Sequence, residues 1–452
     1  MAKEHKPSHV AGPKSLEYLS KEPRLFPKTY WSERTKLARF VVAKAEGPWL
    51  IDVDGNRYID LTSQWATNNL GNVHPKLLEV TIEAMRQYGF LIFDMAPHVP
   101  QYELAEKLVE ISPCPSLTKV DYEISGTEAV ENAVKFALSA KKRPLILSFI
   151  GQYHGLSIGT VVLGSLGKDL IKYYEGFRGS VVYAPYPYVY RFKPEGMEPE
   201  EIGKWCIDYI EDYILPYVAP PERISAVLFE PIVAEAGVWV PPDSFVHGLR
   251  KLADKYGWFL ICDEVQTGFG RTGKMFAIEY WGIDVDLMPL GKGLSGGMVP
   301  ISAILGSEEA MCTTDDIFTG STFAGHPAAC AAAKVNIEIM LEERLPERAA
   351  RLGEEALKRM KEWVDKYEIV GDARGRGFLL GIELVKDKKT KTPAKEEARE
   401  VFFECIKNGV LPIWDVDEWV IRVEPPLNIE EELLDKALNV IEDAIAKVQK
   451  SR

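Results

Sequence analysis

Apolar and polar positions along this chain follow two rhythms, and the changes between them mark its parts. Between Gly47 and Leu61 the segment GPWLIDVDGNRYIDL alternates apolar and polar residues about Asp54-Gly55, which predicts a hairpin. From about Pro75 to about Met340, short apolar runs alternate with stretches of helical spacing. Pro144–Ile150, Ile224–Glu230, Trp258–Asp263 and Ile301–Leu305 read as strands, and Glu128–Ala140 and Phe245–Tyr256 as helices. This alternation predicts an α/β fold whose mostly parallel sheet is covered on both faces, with ligands bound beyond the carboxyl ends of the strands. After about Glu342 the pattern turns helix-rich, then yields a strand pair near Gly377–Val385 and Trp419–Val423. The expected division is 1–74, an N-terminal arm with part of a small domain; 75–341, a large domain; and 342–452, the C-terminal small domain. The Pro-rich, basic start of the arm is expected to run extended over another surface.

Composition narrows the function classes. A chain of 452 residues that is 46% hydrophobic can bury a large core in more than one domain. A formal net charge of −13 argues against nucleic acid or an anionic membrane as partner. No apolar run reaches the roughly 18 residues of a spanning helix, and the charged start MAKEHKPSHVAGPK lacks the apolar stretch of a secretory signal. Six scattered cysteines without a CxxC pair suit reduced thiols in the cytoplasm and call for no metal. Scarce Gln beside abundant Lys and Glu leans toward a thermophilic source.

Five places carry candidate chemistry. Ser125-Gly126-Thr127 opens the stretch EAVENAVKFALSA. Such a turn either caps the helix, with Glu128 in its first turn, or offers free N–H groups and the positive helix end to a phosphate. Trp258–Asp263 ends in Asp263-Glu264 before the loop VQTGFGRTG. A carboxylate there can cap a turn, bind a metal, or hold a ring nitrogen protonated. Lys292 lies between Gly291 and Gly293; it is either a solvated lysine in a turn or an amine placed to form an imine with a flat aldehyde cofactor. Tyr153-His154, in GQYHG, follows a strand, so the aromatic either joins the core or stacks on a planar ligand. Arg422, in IRVEPPL, either pairs with a neighbour or forks a substrate carboxylate.

In their order and spacing these segments resemble the class III aminotransferases, fold-type I pyridoxal 5′-phosphate (PLP) enzymes that include the 4-aminobutyrate and ornithine aminotransferases. The resemblance spans about residues 35 to 440. Its most specific segment is LICDEVQTGFGRTGKMFA (Leu260–Ala277), joined by the Lys292 segment, SGTEA, GQYHG, FEPI and GSTFAGHP (Gly320–Pro327). It implies a large domain with a mostly parallel seven-stranded sheet, a smaller α+β domain, and PLP held by Lys292 as a Schiff base. By the same resemblance Asp263 partners the pyridinium nitrogen, and Ser125, Gly126 and Thr127 cradle the phosphate. Tyr153 stacks on the ring, with His154 beside it among the cofactor-binding residues. Val265 covers the opposite face, Gln266 sits near the phenolic oxygen, and Glu230 supports the site. Thr322 matches a phosphate ligand contributed by the neighbouring subunit, which implies a homodimer with shared sites, alone or within a larger assembly.

Glu235 and Arg422 resemble the Glu–Arg pair that lets one pocket accept an amine in one half-reaction and an acidic substrate in the other. Trp65 is expected with them among the substrate-binding residues. Two departures make the pocket more apolar. The chain reads EPIVAE where the family commonly reads EPIQGE, and it has Leu156 where several diacid-using members have Arg. The resemblance therefore implies transfer of an amino group between an amino acid or ω-amine and a 2-oxo acid. Amino-acid racemisation or epimerisation, found in a branch of the same family, is the rival. The two share every cofactor residue and differ in whether a second acid/base faces the α carbon opposite Lys292. Racemase relatives tend to carry Asp at the place of Glu235, so Glu favours transfer.

Overall fold

The structure, a computed structural model, describes residues 11–29, 40–92, 95–192, 196–414 and 418–451. Its strands are β1 (Val42–Glu46), β2 (Trp49–Asp52), β3 (Arg57–Asp60), β4 (Leu117–Glu123), β5 (Leu145–Phe149), β6 (Val181–Ala184), β7 (Ile224–Phe229), β8 (Phe259–Cys262), β9 (Leu287–Leu290), β10 (Ser302–Ser307), β11 (Val370–Arg376), β12 (Leu379–Leu384), β13 (Val410–Leu411) and β14 (Val420–Val423).

The central sheet has seven strands in the order β4-β10-β9-β8-β7-β5-β6. Only β10 runs against its neighbours; the pairs from β9 to β6 are parallel. Successive strand residues point to opposite faces, and both faces here are covered. Ile146, Ala226, Leu228, Phe259 and Ile261 pack with Ala129, Val130 and Ala133 of the helix Gly126–Lys141. Leu147, Val227, Phe229, Leu260 and Cys262 pack with Phe245, Val246 and Leu249 of the helix Asp243–Tyr256. Double coverage explains why the strands read as mostly apolar runs, interrupted in β5 and β7 only by Ser148 and Ser225.

The expected hairpin is present as β2 and β3. Asp52, 2% exposed, accepts from the N–H groups of Asp54 (3.0 Å) and Asn56 (2.8 Å), while Gly55 takes the positive φ of +92° that closes the turn. The strand pair expected near 377–385 and 419–423 is β12 with β14, completed by β11 into an antiparallel sheet. β13 pairs in parallel with β3, so the late chain returns to the N-terminal hairpin.

The extended arm is corrected over part of its length. Pro13–Leu19 and Glu22–Leu25 are short helices, because Pro13 and Pro23 stand in their first turns, where a fixed φ and a missing N–H favour a helix start. The rest of that stretch up to Val10, and residues 30–39, lie outside the described residues. Among the described residues no helix is long and apolar enough to cross a membrane.

Candidate active site

The parallel strands deliver their carboxyl ends to one edge of the sheet, where a cavity of about 140 Å³ opens. β4 leads to Gly126 and Thr127, β5 to Tyr153 and His154, β7 to Glu230, Ala234 and Glu235, β8 to Asp263, Val265 and Gln266, and β9 to Lys292. At the helix Gly126–Lys141, Ser125 is the N-cap; its Oγ accepts from Glu128 N at 3.3 Å, and its own N–H donates to Glu128 Oε2 at 3.2 Å. The cap uses the third N–H of the helix and leaves those of Gly126 and Thr127 in the first turn, facing the cavity edge. A side chain at Gly126 would strike Val265 at 2.6 Å, so glycine lets these two strand ends close on one another.

Lys292 begins a single turn of 3₁₀ helix with φ +41°, a left-handed conformation that costs a non-glycine residue energy and is typical of functional positions. Asn336 holds the turn, donating from Nδ2 to the carbonyls of Gly293 (2.8 Å) and Leu294 (3.2 Å). The Lys292 ammonium donates to Gln266 Oε1 and stands 4.0 Å from Glu235 Oε1.

Three carboxylates line the cavity. Asp263, 4% exposed, accepts from His154 Nδ1 at 2.7 Å and from Val265 N at 3.0 Å. The imidazole thus orients this carboxylate from behind. Glu230 accepts from the N–H groups of Tyr153 (2.8 Å) and Ala234 (3.1 Å), tying the ends of β5 and β7 together. Burial, with the charges of Asp263 and Glu235 nearby, pushes Glu230 up to about 8 from an ordinary 4.5. A carboxyl raised on folding stabilises the fold below its unfolded value, and this contribution fades as pH rises through the folded value. The protein is therefore expected to lose thermal stability between about pH 4.5 and pH 8, and Glu230→Gln to reduce that slope in melting curves recorded across pH. An unchanged slope would remove Glu230 as a cause.

The third carboxylate, Glu235, pairs with Arg422 Nη2 at 3.0 Å from Oε2. Arg422 lies in β14 opposite Gly381 of β12. The missing side chain at Gly381 lets this sheet lie against Gly237 and Val238, since a Cβ there would meet both at 3.3 Å. The smaller sheet thereby brings a cation 187 residues distant in sequence to the cavity carboxylate. The other guanidinium nitrogen, Nη1, lies 3.4 Å from Glu424 Oε1.

Comparison with known proteins agrees with this geometry. The family model for class-III aminotransferases matches residues 30–445. The chain belongs to the class-III aminotransferase family. Within that family it is 36% identical to an alanine/serine racemase of Pyrococcus horikoshii, over 96% of this chain and 91% of the racemase. It is 35% identical to a probable 4-aminobutyrate aminotransferase of Bacillus subtilis, over 89% of this chain and 92% of that protein. Its fold superposes on a PLP-bound amine transaminase from an uncultivated Pseudomonas species with a TM-score of 0.86 and 28% identity, covering 90% of this chain and 95% of that one.

Of the residues marked in this class-III chain from sequence, Gly126, Thr127, Tyr153, His154, Glu230, Glu235, Asp263, Val265, Gln266 and Lys292 line one cavity. Ser125 caps the helix beside it and Arg422 reaches it through Glu235. Thr322 is exposed and does not line the cavity of its own chain. Trp65, 37% exposed, does not line it either; it sits in a turn, Ser63–Ala66, whose residues all have positive φ. Two buried groups were missed. Glu424 contacts both Arg422 and Gln266, and Arg271 donates to Asn69 Oδ1 (2.7 Å) and to the carbonyls of Pro425 (2.6 Å) and Phe378 (3.2 Å). The signal for Glu424 was its place two positions after Arg422 in an extended segment, on the same face.

Proposed function

We propose that the protein is a PLP-dependent aminotransferase that moves an amino group between an amino acid or ω-amine and a 2-oxo acid, with Lys292 holding the cofactor. The observation that carries this reading is the convergence of a glycine-flanked lysine, a strand-end carboxylate and an open helix N-terminus in one cavity. These residues suit the group. The first-turn N–H groups of Gly126 and Thr127 and the positive helix end favour a phosphate, and Tyr153 and Val265 present surfaces for a flat ring. Asp263, oriented by His154, would partner a ring nitrogen, and Gln266 would stand at the phenolic oxygen. When bound, PLP supplies an electron sink that makes bonds at the amine-bearing carbon labile.

The remaining work belongs to this chain's side chains. Lys292, at the cavity edge, would carry a proton to and from the substrate carbon. Glu235 neutralises Arg422 while a substrate without a carboxylate at that place is bound, and withdraws when one must be held. Arg422→Leu is accordingly expected to raise KM for L-alanine by about tenfold or more and to leave KM for a carboxylate-free primary amine nearly unchanged. Equal KM changes for both would refute that role. Trp65 is proposed as a further substrate contact, carried on its strained turn.

Racemisation is the second reading. It is favoured by the similarity to the alanine/serine racemase. Against it, Glu235 is committed to Arg422. Incubation with single L-amino acids in the absence of any 2-oxo acid separates the two. D-isomer formed without net deamination would make the protein a racemase; turnover only with a 2-oxo acid supports transfer.

The division at residues 75 and 341 is proposed from the sheets: the seven-stranded sheet lies between these positions and the two smaller sheets lie outside. A homodimer is proposed in which Thr322 serves the neighbouring subunit's phosphate. Supporting it, Leu78, Ile82 and Met85 leave 40%, 40% and 52% of their surfaces exposed along one face of the helix Pro75–Tyr88. A cytoplasmic location and a thermophilic source are proposed from composition alone.

A further inference from the structure

We propose that Glu424 is a specificity-determining residue: a fixed second counter-ion that occupies one edge of Arg422, so that the site takes monocarboxylic substrates and turns away dicarboxylic ones. The inference rests on the reading of this cavity as the amine-handling site and adds the class of substrate to it.

An arginine can fork a carboxylate only when two of its nitrogens are open to it. Arg422, 1% exposed, donates a hydrogen bond from Nη2 to Glu235 at 3.0 Å, and Nη1 faces Glu424 Oε1 at 3.4 Å in an ion pair that lacks hydrogen-bond geometry but places a fixed carboxylate against that edge. The two carboxylates differ in how they are held. Glu235 lines the cavity and follows β7 on a loop, so rotation of its side chain opens the Nη2 edge. Glu424 is fully buried, and its other oxygen, Oε2, accepts from Gln266 Nε2 at 2.6 Å. Its backbone is fastened on both sides, the N–H donating to Leu61 O at 2.8 Å and the carbonyl accepting from Ser63 Oγ at 2.6 Å. Glu424 has no second place to go, and Arg422 stays compensated after Glu235 has moved.

The surrounding charges do not undo this. Arg271 is also fully buried, but its two terminal nitrogens donate to carbonyl oxygens, and its charge is felt by both Glu424 and Asp60. Among the described residues lining the cavity there is no arginine and Lys292 is the one lysine, and Leu156 stands outside it, 45% exposed. One carboxylate can use the edge that Glu235 vacates. A second would meet Glu424 and the displaced Glu235 and find no cation.

The test uses the PLP-loaded enzyme with two unreactive probes, glutarate and butyrate, titrated by calorimetry. The unaltered enzyme is expected to bind glutarate no more tightly than butyrate. Glu424→Gln and Glu424→Leu each remove one negative charge, so the dianion gains more than the monoanion. The glutarate-to-butyrate affinity ratio should rise by about tenfold or more, and the ratio of kcat/KM for L-glutamate over L-alanine should rise with it. Glutarate bound at least about tenfold more tightly than butyrate by the unaltered enzyme would overturn the proposal. That measurement needs no variant, so misfolding cannot mask it. An unchanged ratio in both variants, with the bound-cofactor absorption retained, would also overturn it. Failure of the enzyme to transfer amino groups from any donor would instead strike the functional reading, whatever the probe ratio.

Discussion

Replacement of Lys292 by alanine is expected to lower turnover by at least about 10⁴-fold and to leave no covalently attached cofactor. The expectation follows from where this amine stands. Among the described residues it is the one lysine lining the cavity, and it lies between two glycines at the carboxyl end of β9. Its backbone is held at φ +41° by a turn that Asn336 fastens from the helix Pro327–Glu342. That strain is maintained for the placement of one side chain. Loss of the side chain removes both the attachment point and the proton carrier, while the turn persists through backbone and Asn336 contacts, so the variant should remain folded. Borohydride reduction followed by peptide mass spectrometry checks it: the unaltered protein should carry PLP on the Lys292 peptide and the variant on none. A label on another lysine, or turnover near the original rate, would refute the assignment.

The second large effect is expected for Asp263→Asn. Asp263 is nearly buried, with His154 Nδ1 at 2.7 Å and the amide of Val265 at 3.0 Å fixing its two oxygens. A neutral amide of the same shape keeps those contacts in part but removes the negative charge that would hold a ring nitrogen protonated. In a site closed to water such a charge acts at high effect. Turnover should fall by about 10²–10³-fold, with cofactor occupancy, measured by the absorbance of the bound vitamin, changed far less. Full loss of the cofactor with no separate effect on rate would mean that Asp263 serves binding and not the chemistry.

Much of the site is legible before any coordinates, for a reason visible in the strands. β5, β7 and β8 are mostly apolar because both faces are covered, with Ser148 and Ser225 the exceptions, so the polar residues soon after them, Tyr153-His154, Glu230 and Asp263, mark the sheet edge where ligands bind. The glycines beside Lys292 and the small residues of Ser125-Gly126-Thr127 are local signals of the same kind. What stayed hidden depends on contacts between distant segments. Nothing local in Glu424 says that it is fully buried, or that it divides its oxygens between Gln266, 158 residues away, and Arg422. The helical turns at Pro13 and Pro23, expected as extended chain, were misread because proline at a helix start and proline in an arm leave the same mark in sequence.

From sequence alone came the α/β class, the hairpin at Asp54-Gly55, the strand ends that carry the site, and the family with its lysine, because these depend on side-chain period and on neighbours a few residues apart. Only tertiary structure decided that the β11-β12-β14 sheet lies on the loop after β7, that Arg422 meets two carboxylates there, and that Glu230 is driven up by burial. Those outcomes depend on which surfaces exclude water together. Exclusion from water is a property of the packed whole, and no stretch of chain carries it by itself.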